Sequence, residues 1–128
     1  MELKVVFWAA LIGVAAAGSA FAHHGTAGYD MDKVVTVAGT VSTFEWSNPH
    51  VIIFVDAKKD GGQVEHWAIE MASPIHMSRF GWSKTSIKAG DQIVAETHPA
   101  KNGAPIGTSG TAGGLLKVVV NGQALPMH

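Results

Sequence analysis

The sequence predicts an all-β fold, a five- or six-stranded Greek-key barrel with one short helix. Three observations predict it: short runs rich in β-branched residues, Asp-Gly and Asn-Gly turns between them, and one Ser-Pro helix start after the third run. The 128 residues include no Cys, which excludes disulfides and thiolate chemistry. A chain of this length can bury one hydrophobic core without such cross-links.

The first strand is predicted from Val34 to Val41, with a continuation to Trp46. Its β-branched residues favour extended backbone. Gly39 marks the point where so long a strand would bulge or bend. The turn Ser47-Asn48-Pro49 ends the strand, and its proline makes the turn stiff.

The second and third strands are predicted as an antiparallel hairpin, His50–Asp56 and Val64–Met71, whose turn contains Asp60-Gly61-Gly62. This pairing would make His66 a neighbour of a residue on the His50 strand. Alternation along the third strand separates a core face from an outer face. The core face holds Trp67, Ile69 and Met71, and the outer face holds His66, Ala68 and Glu70.

A short helix is predicted over Pro74–Phe80, because Ser73 suits the N-cap, Pro74 suits the first helical position and Gly81 suits the stop. The later elements are a fourth strand, a glycine-rich loop and a closing hairpin, at Gln92–His98, Asn102–Gly114, and Leu115–Val120 with Gln123–Leu125. This inventory is typical of the oligonucleotide/oligosaccharide-binding (OB) barrel. A small two-sheet sandwich would use the same parts.

Residues 1–22 predict a cleavable secretory signal peptide. An apolar run, Val5–Ala17, follows Lys4 and precedes the small-x-small triplet Ala20-Phe21-Ala22. The run is shorter than the roughly 20 residues that a membrane-spanning helix needs, so no membrane span is expected after processing. Residues 23–128 are then a single β-barrel domain, periplasmic or secreted.

Composition and motifs exclude several function classes. Nine basic and ten acidic residues give a net charge of -1, which disfavours a nucleic-acid partner. The chain lacks the Gly-x-Ser-x-Gly and His-Glu-x-x-His signatures of common hydrolases. We therefore expect a binding protein and not an enzyme. An enzyme with His50 as a base, or with an oxidase-like copper site on the terminal histidines, is the third option.

A transition-metal ion is the ligand that the histidines favour. Cleavage after Ala22 gives a new amino terminus at His23-His24, where the α-amine and an imidazole can chelate one ion. His50 follows the stiff Asn-Pro turn, and His98 ends the fourth strand. The predicted metal ligands are therefore His23, His24, His50 and His98, with copper as the first choice and zinc as the second.

Two alternatives stay open. In the first, the terminal histidines are only a flexible polar end. In the second, the protein is a non-catalytic interaction domain that holds a peptide, a glycan or a periplasmic partner protein. Such a domain would use Trp46, Trp67 or Trp82 on the barrel face.

Several motifs together resemble a known family. They are His23-His24-Gly25, Tyr29-Asp30, Phe44-x-Trp46-x-Asn48-Pro49-His50, Trp67-x-Ile69-Glu70, Ile87-Lys88-x-Gly90-Asp91 and His98-Pro99. This series, from His23 to about Leu125, resembles a family of secreted bacterial proteins catalogued as domain of unknown function 6152. The resemblance implies export and a small β-rich domain. The family has no established activity, so the resemblance assigns neither a reaction nor catalytic residues.

Overall fold

The computed structural model describes residues 25–110 and 116–127. Within these ranges the chain forms seven strands and one short helix. In chain order they are β1 (Val35–Glu45), β2 (Ile52–Lys58), β3 (Val64–Glu70), α1 (Pro74–Arg79), β4 (Gln92–Pro99), β5 (Ile106–Thr108), β6 (Val118–Val120) and β7 (Gln123–Leu125).

Five of the strands close into a barrel. β1, β2 and β3 form an antiparallel meander, β3 pairs in parallel with β5, and β5 pairs with β4. β4 then pairs with β1, which closes the circle. The hairpin β6–β7 extends the sheet outward from β4. This is the OB topology, so the predicted barrel is confirmed and the sandwich is not formed.

β1 takes part in both halves of the barrel. Its first half pairs with β4 and its second half with β2, and Gly39 and Thr40 pair on both sides. A Cβ at position 39 would overlap the backbone carbonyl of Asp56, so only glycine fits there. The predicted bulge is present, but the register shift lies between Val41 and Thr43, a few residues after Gly39.

The core contains the inward-facing residues of all the long strands. The largest fully buried apolar side chains are Ile53, Ile69, Met77, Ile87, Ile93, Val41, Val51, Val55 and Val118. Met77 comes from α1, which begins as predicted with Ser73 as its N-cap. The Ser73 hydroxyl accepts from the backbone N–H of His76 at 3.3 Å. The expected third-strand core face is confirmed by the burial of Ile69 and Met71.

The glycine-rich stretch Asn102–Gly114 contains a strand that the sequence did not predict. Ile106–Thr108 is β5, and it joins β3 to β4. The prediction of a loop was wrong there, because this three-residue strand depends on partners that lie far away in sequence. A glycine inside it also weakens any local preference for extended backbone. Residues 111–115 lie outside the described residues.

The signal-peptide prediction lies outside the described residues as well, since these begin at Gly25. In the part of the chain that the structure does describe, no helix is long and apolar enough to cross a membrane.

Candidate functional site

His50 lies just before β2. The pairing of β2 with β3 continues at this end by one further residue pair, Val51 with Met71. The backbone N–H of Met71 donates to the carbonyl of Val51 at 2.8 Å. The Asn48–Pro49 peptide bond that precedes His50 is cis. This arrangement brings the His50 ring to the end of β3, where its Nδ1 lies 3.0 Å from the Met71 carbonyl oxygen.

That contact decides which nitrogen of His50 is free. A carbonyl oxygen can only accept, so Nδ1 must carry the hydrogen and donate it to Met71. In the neutral ring, Nε2 then carries a lone pair and no hydrogen. Nε2 lies 3.3 Å from Oε1 of Glu70, which is also an acceptor. Two acceptors at this distance repel each other unless a cation, either a proton or a metal ion, binds at Nε2.

Glu70 is held by a second contact on its other oxygen. The Tyr29 hydroxyl donates to Glu70 Oε2 at 3.1 Å. Burial, the charge of Glu70 and this hydrogen bond together raise the pKa of Tyr29 to about 12. The phenol therefore keeps its proton near neutral pH and remains a donor. The carboxylate thus has one oxygen bound to Tyr29 and one oxygen directed at His50.

We call His50, Glu70 and Tyr29 the β3-end cluster. The side chains of His50 and Glu70 are 42% and 35% exposed, so an ion from solvent can reach them. Sequence reasoning assigned no role to Glu70 and did not consider the Tyr29 side chain. The hairpin register gave a signal for Glu70, because Ile52 pairs with Glu70 and His50 lies only two residues earlier. Tyr29 carried no comparable local signal.

His98 lies on the same outer face but on the far side of β5. Thr108 pairs with Glu70 on one side and with His98 on the other. Two strand spacings separate the Cα atoms of Glu70 and His98 by about 10 Å. His98 Nδ1 lies 2.8 Å from the Lys33 carbonyl oxygen, so its Nε2 is the free nitrogen as well. The structure does not bring His98 into the cluster.

Of the other predicted ligands, His23 and His24 lie outside the described residues. Within residues 25–110 and 116–127, no three His, Asp or Glu side chains converge in a way that could hold a metal ion. His66 neighbours the strand after His50 as expected: its Nδ1 lies 2.7 Å from Asp56 Oδ1. The β3-end cluster therefore brings together two side chains of the types that can ligate a metal, His50 and Glu70.

None of the three tryptophans in the described part of the chain is fully exposed. Trp82 is buried, and its indole N–H donates to the Pro126 carbonyl. Trp46 and Trp67 are half-buried against the core, and the Trp67 indole N–H donates to Glu65 at 2.6 Å.

Comparisons with known proteins identify the family. Residues 11–110 match the model of the "Family of unknown function (DUF6152)". The chain belongs to this family. The family match begins inside the predicted signal peptide and ends at Gly110, and it confirms the resemblance seen in the motifs.

The other comparisons concern curated proteins and solved structures. No curated protein matches the chain. Among solved structures, the chain is similar to the mitochondrial single-stranded DNA binding protein Rim1 from S. cerevisiae. The TM-score is 0.47 at 11% sequence identity, and the match covers 70% of this chain and 96% of that chain.

Proposed function

We propose that this family member is an exported binding module for a transition-metal ion, copper first and zinc second. His50 Nε2 and Glu70 Oε1 would be the two ligands from the barrel. The observation that carries the proposal is the contact of these two acceptors at 3.3 Å, with Nδ1 of His50 fixed on a backbone carbonyl. A carbonyl partner on the second ring nitrogen is the usual way in which metal-binding histidines are oriented.

The separation of the two atoms suits a single ion. A metal about 2.1 Å from both atoms would make an angle of roughly 100° between them. This value lies between the right angle of a square plane and the wider angle of a tetrahedron. Both the tetragonal geometry of Cu(II) and the tetrahedral geometry of Zn(II) are therefore within small adjustments of the positions described.

The amino terminus would supply the remaining ligands. After cleavage behind Ala22, the α-amine and imidazole of His23 come six residues before Tyr29, and His24 comes five residues before it. A chain of five residues spans up to about 17 Å. Because the Tyr29 hydroxyl touches Glu70, the terminal histidines are within reach of the cluster.

Metal titration of the mature protein, which begins at His23, tests the proposal. We expect His50→Ala and Glu70→Gln each to weaken the binding of Cu(II) and of Zn(II) by at least about tenfold. His66→Ala is the matched control. Its ring also contacts a carboxylate, but it lies four residues from Glu70 along β3, about 13 Å away.

Two results would contradict the proposal: unchanged affinity in both cluster variants, or an equal loss in His66→Ala. His98→Ala is a second comparison, because Nδ1 of His98, like Nδ1 of His50, contacts a backbone carbonyl oxygen. We expect it to weaken binding less than His50→Ala does, because His98 lies on the other side of β5.

The alternative function, binding of a peptide, a glycan or a periplasmic partner protein, would use a different part of the outer face. Phe54, Ala68 and Ile106 lie side by side on β2, β3 and β5, and Ile106 is 40% exposed. If this surface is the site, Phe54→Ser should weaken binding of a peptide or glycan probe and leave the metal affinity unchanged.

A further inference from the structure

Tyr29 connects the amino-terminal segment to the β3-end cluster. Its backbone forms an isolated bridge with Ala100, just after β4. Two hydrogen bonds of 2.9 Å flank the bridge, from Asp30 N–H to the Pro99 carbonyl and from Lys101 N–H to the Gly28 carbonyl. The segment around Tyr29 is thus fixed beside the end of β4.

The Tyr29 side chain bridges two strands that are not neighbours. Its backbone lies beside the end of β4, while its hydroxyl reaches Glu70 on β3. β5 lies between β3 and β4 in the sheet, so the Tyr29 side chain connects two strands that do not pair with each other.

The chemistry of the phenol limits what it can do at the site. The Tyr29 hydroxyl donates its hydrogen to the Glu70 carboxylate at 3.1 Å, so it acts as a hydrogen-bond donor to that group. It occupies Oε2 of Glu70 and leaves Oε1 on the side of His50. A ligating carboxylate that is held in this way has a fixed orientation and needs no reordering when an ion arrives.

We infer that Tyr29 is the positioning residue of the metal site, a role that rests on the proposed function. It fixes Glu70 as a ligand through one oxygen and holds the chain that follows His23-His24 against the same carboxylate. Ion binding at Oε1 and attachment of the amino-terminal segment through Oε2 are therefore coupled. Coupling between two sites acts in both directions, so an ion at the cluster must also act on Tyr29.

The variant Tyr29→Phe tests this role, because it removes the hydroxyl and keeps the aromatic ring. In the mature protein we expect a loss of Zn(II) affinity of about 10- to 100-fold. The same substitution in the Glu70→Gln background should cause little further loss, since the carboxylate that Tyr29 orients is already missing. A merely structural role would give the same loss in both backgrounds.

A second measurement does not depend on a variant. Tyr29 is the single Tyr of the chain, so selective labelling of the tyrosine ring gives one reporter for nuclear magnetic resonance. We expect Zn(II) to shift the Tyr29 ring signals in the wild-type protein and not in Glu70→Gln.

The outcomes separate the two proposals. If His50→Ala and Glu70→Gln lose Zn(II) affinity while Tyr29→Phe binds like the wild type and the ring signals stay in place, the inference about Tyr29 is wrong and the metal site stands. If His50→Ala and Glu70→Gln both bind Zn(II) like the wild type, the proposed function itself fails.

Discussion

Gly107 of β5 packs so closely against Thr97 of β4 that a Cβ at position 107 would overlap the Thr97 side chain. Thr97 is fully buried, and its hydroxyl donates to the Thr108 carbonyl at 3.1 Å. The threonine therefore cannot move aside without losing a buried hydrogen bond. This contact sets the distance between β4 and the strand that closes the barrel.

We expect Gly107→Ala to destabilise the protein by about 2 kcal/mol or more, because the added methyl group overpacks the interface between β4 and β5. Chemical denaturation measures the change in the free energy of unfolding. Gly28→Ala is the control, since a Cβ at that position meets no atom within 4 Å. It should stay within about 0.5 kcal/mol of the wild type. Equal stability of the two variants would contradict the close contact.

The proposed metal site predicts an effect of one extra residue at the amino terminus. A protein with a single Ala before His23 keeps both imidazoles but moves the free α-amine away from His23. If the amine is a ligand, copper affinity should fall by at least about tenfold. Calorimetric titration of the two forms measures the difference, and mass spectrometry verifies each amino terminus. Equal affinities would remove the amine from the site.

The contacts of the Asp91 carboxylate predict that the protein loses stability in acid. Its carboxylate accepts from the Lys88 side chain at 2.6 Å, from the Lys88 backbone N–H at 2.9 Å and from the Asn121 amide at 3.1 Å. These contacts, with Lys88 first, lower the pKa of Asp91 from its usual 3.8 to about 2. Because the pKa is depressed in the folded state, the stabilisation is complete above the unfolded value and is lost as the pH falls through the folded value.

We therefore expect Asp91→Asn to be less stable than the wild type at neutral pH and the difference to shrink between pH 3.8 and about 2. Denaturation across a pH series measures it. Asp60→Asn, on the exposed β2–β3 turn, is the control for the loss of one surface carboxylate. If the stability difference between Asp91→Asn and the wild type stays constant down to the lowest pH, the contacts of Asp91 do not lower its pKa.

The raised pKa of Tyr29 predicts a separate loss of stability in alkali. Its pKa is raised from the ordinary 10.0 to about 12, so the stabilisation is complete below the first value and is lost as the pH rises through the second. The tyrosinate absorbance reports this single Tyr directly. Glu70→Gln should move the midpoint toward 10.0 without reaching it, because burial remains the largest cause of the shift. A wild-type midpoint at the ordinary value would rule out the Tyr29–Glu70 contact.

Elements with strong local signals can be predicted from the amino-acid sequence alone. β1 to β4, the Ser73-capped helix and the closing hairpin around Asn121-Gly122 overlap the ranges that their β-branched runs, N-cap and turn residues predict, although β2 and β6 begin two and three residues later than expected. The β2–β3 turn also fixed which face each residue occupies. A shift of one residue would have moved Ile69 from the core to solvent.

β5 and the β3-end cluster depend on contacts between parts of the chain that are far apart in sequence. Ile106–Thr108 is a strand because β3 and β4 supply its hydrogen-bond partners, and three residues with a central glycine carry no such preference alone. Likewise, the contact of Tyr29 with Glu70 joins residues 41 positions apart. This contact exists because the folded barrel brings the end of β4, beside which Tyr29 lies, near the end of β3. No local sequence pattern encodes this proximity.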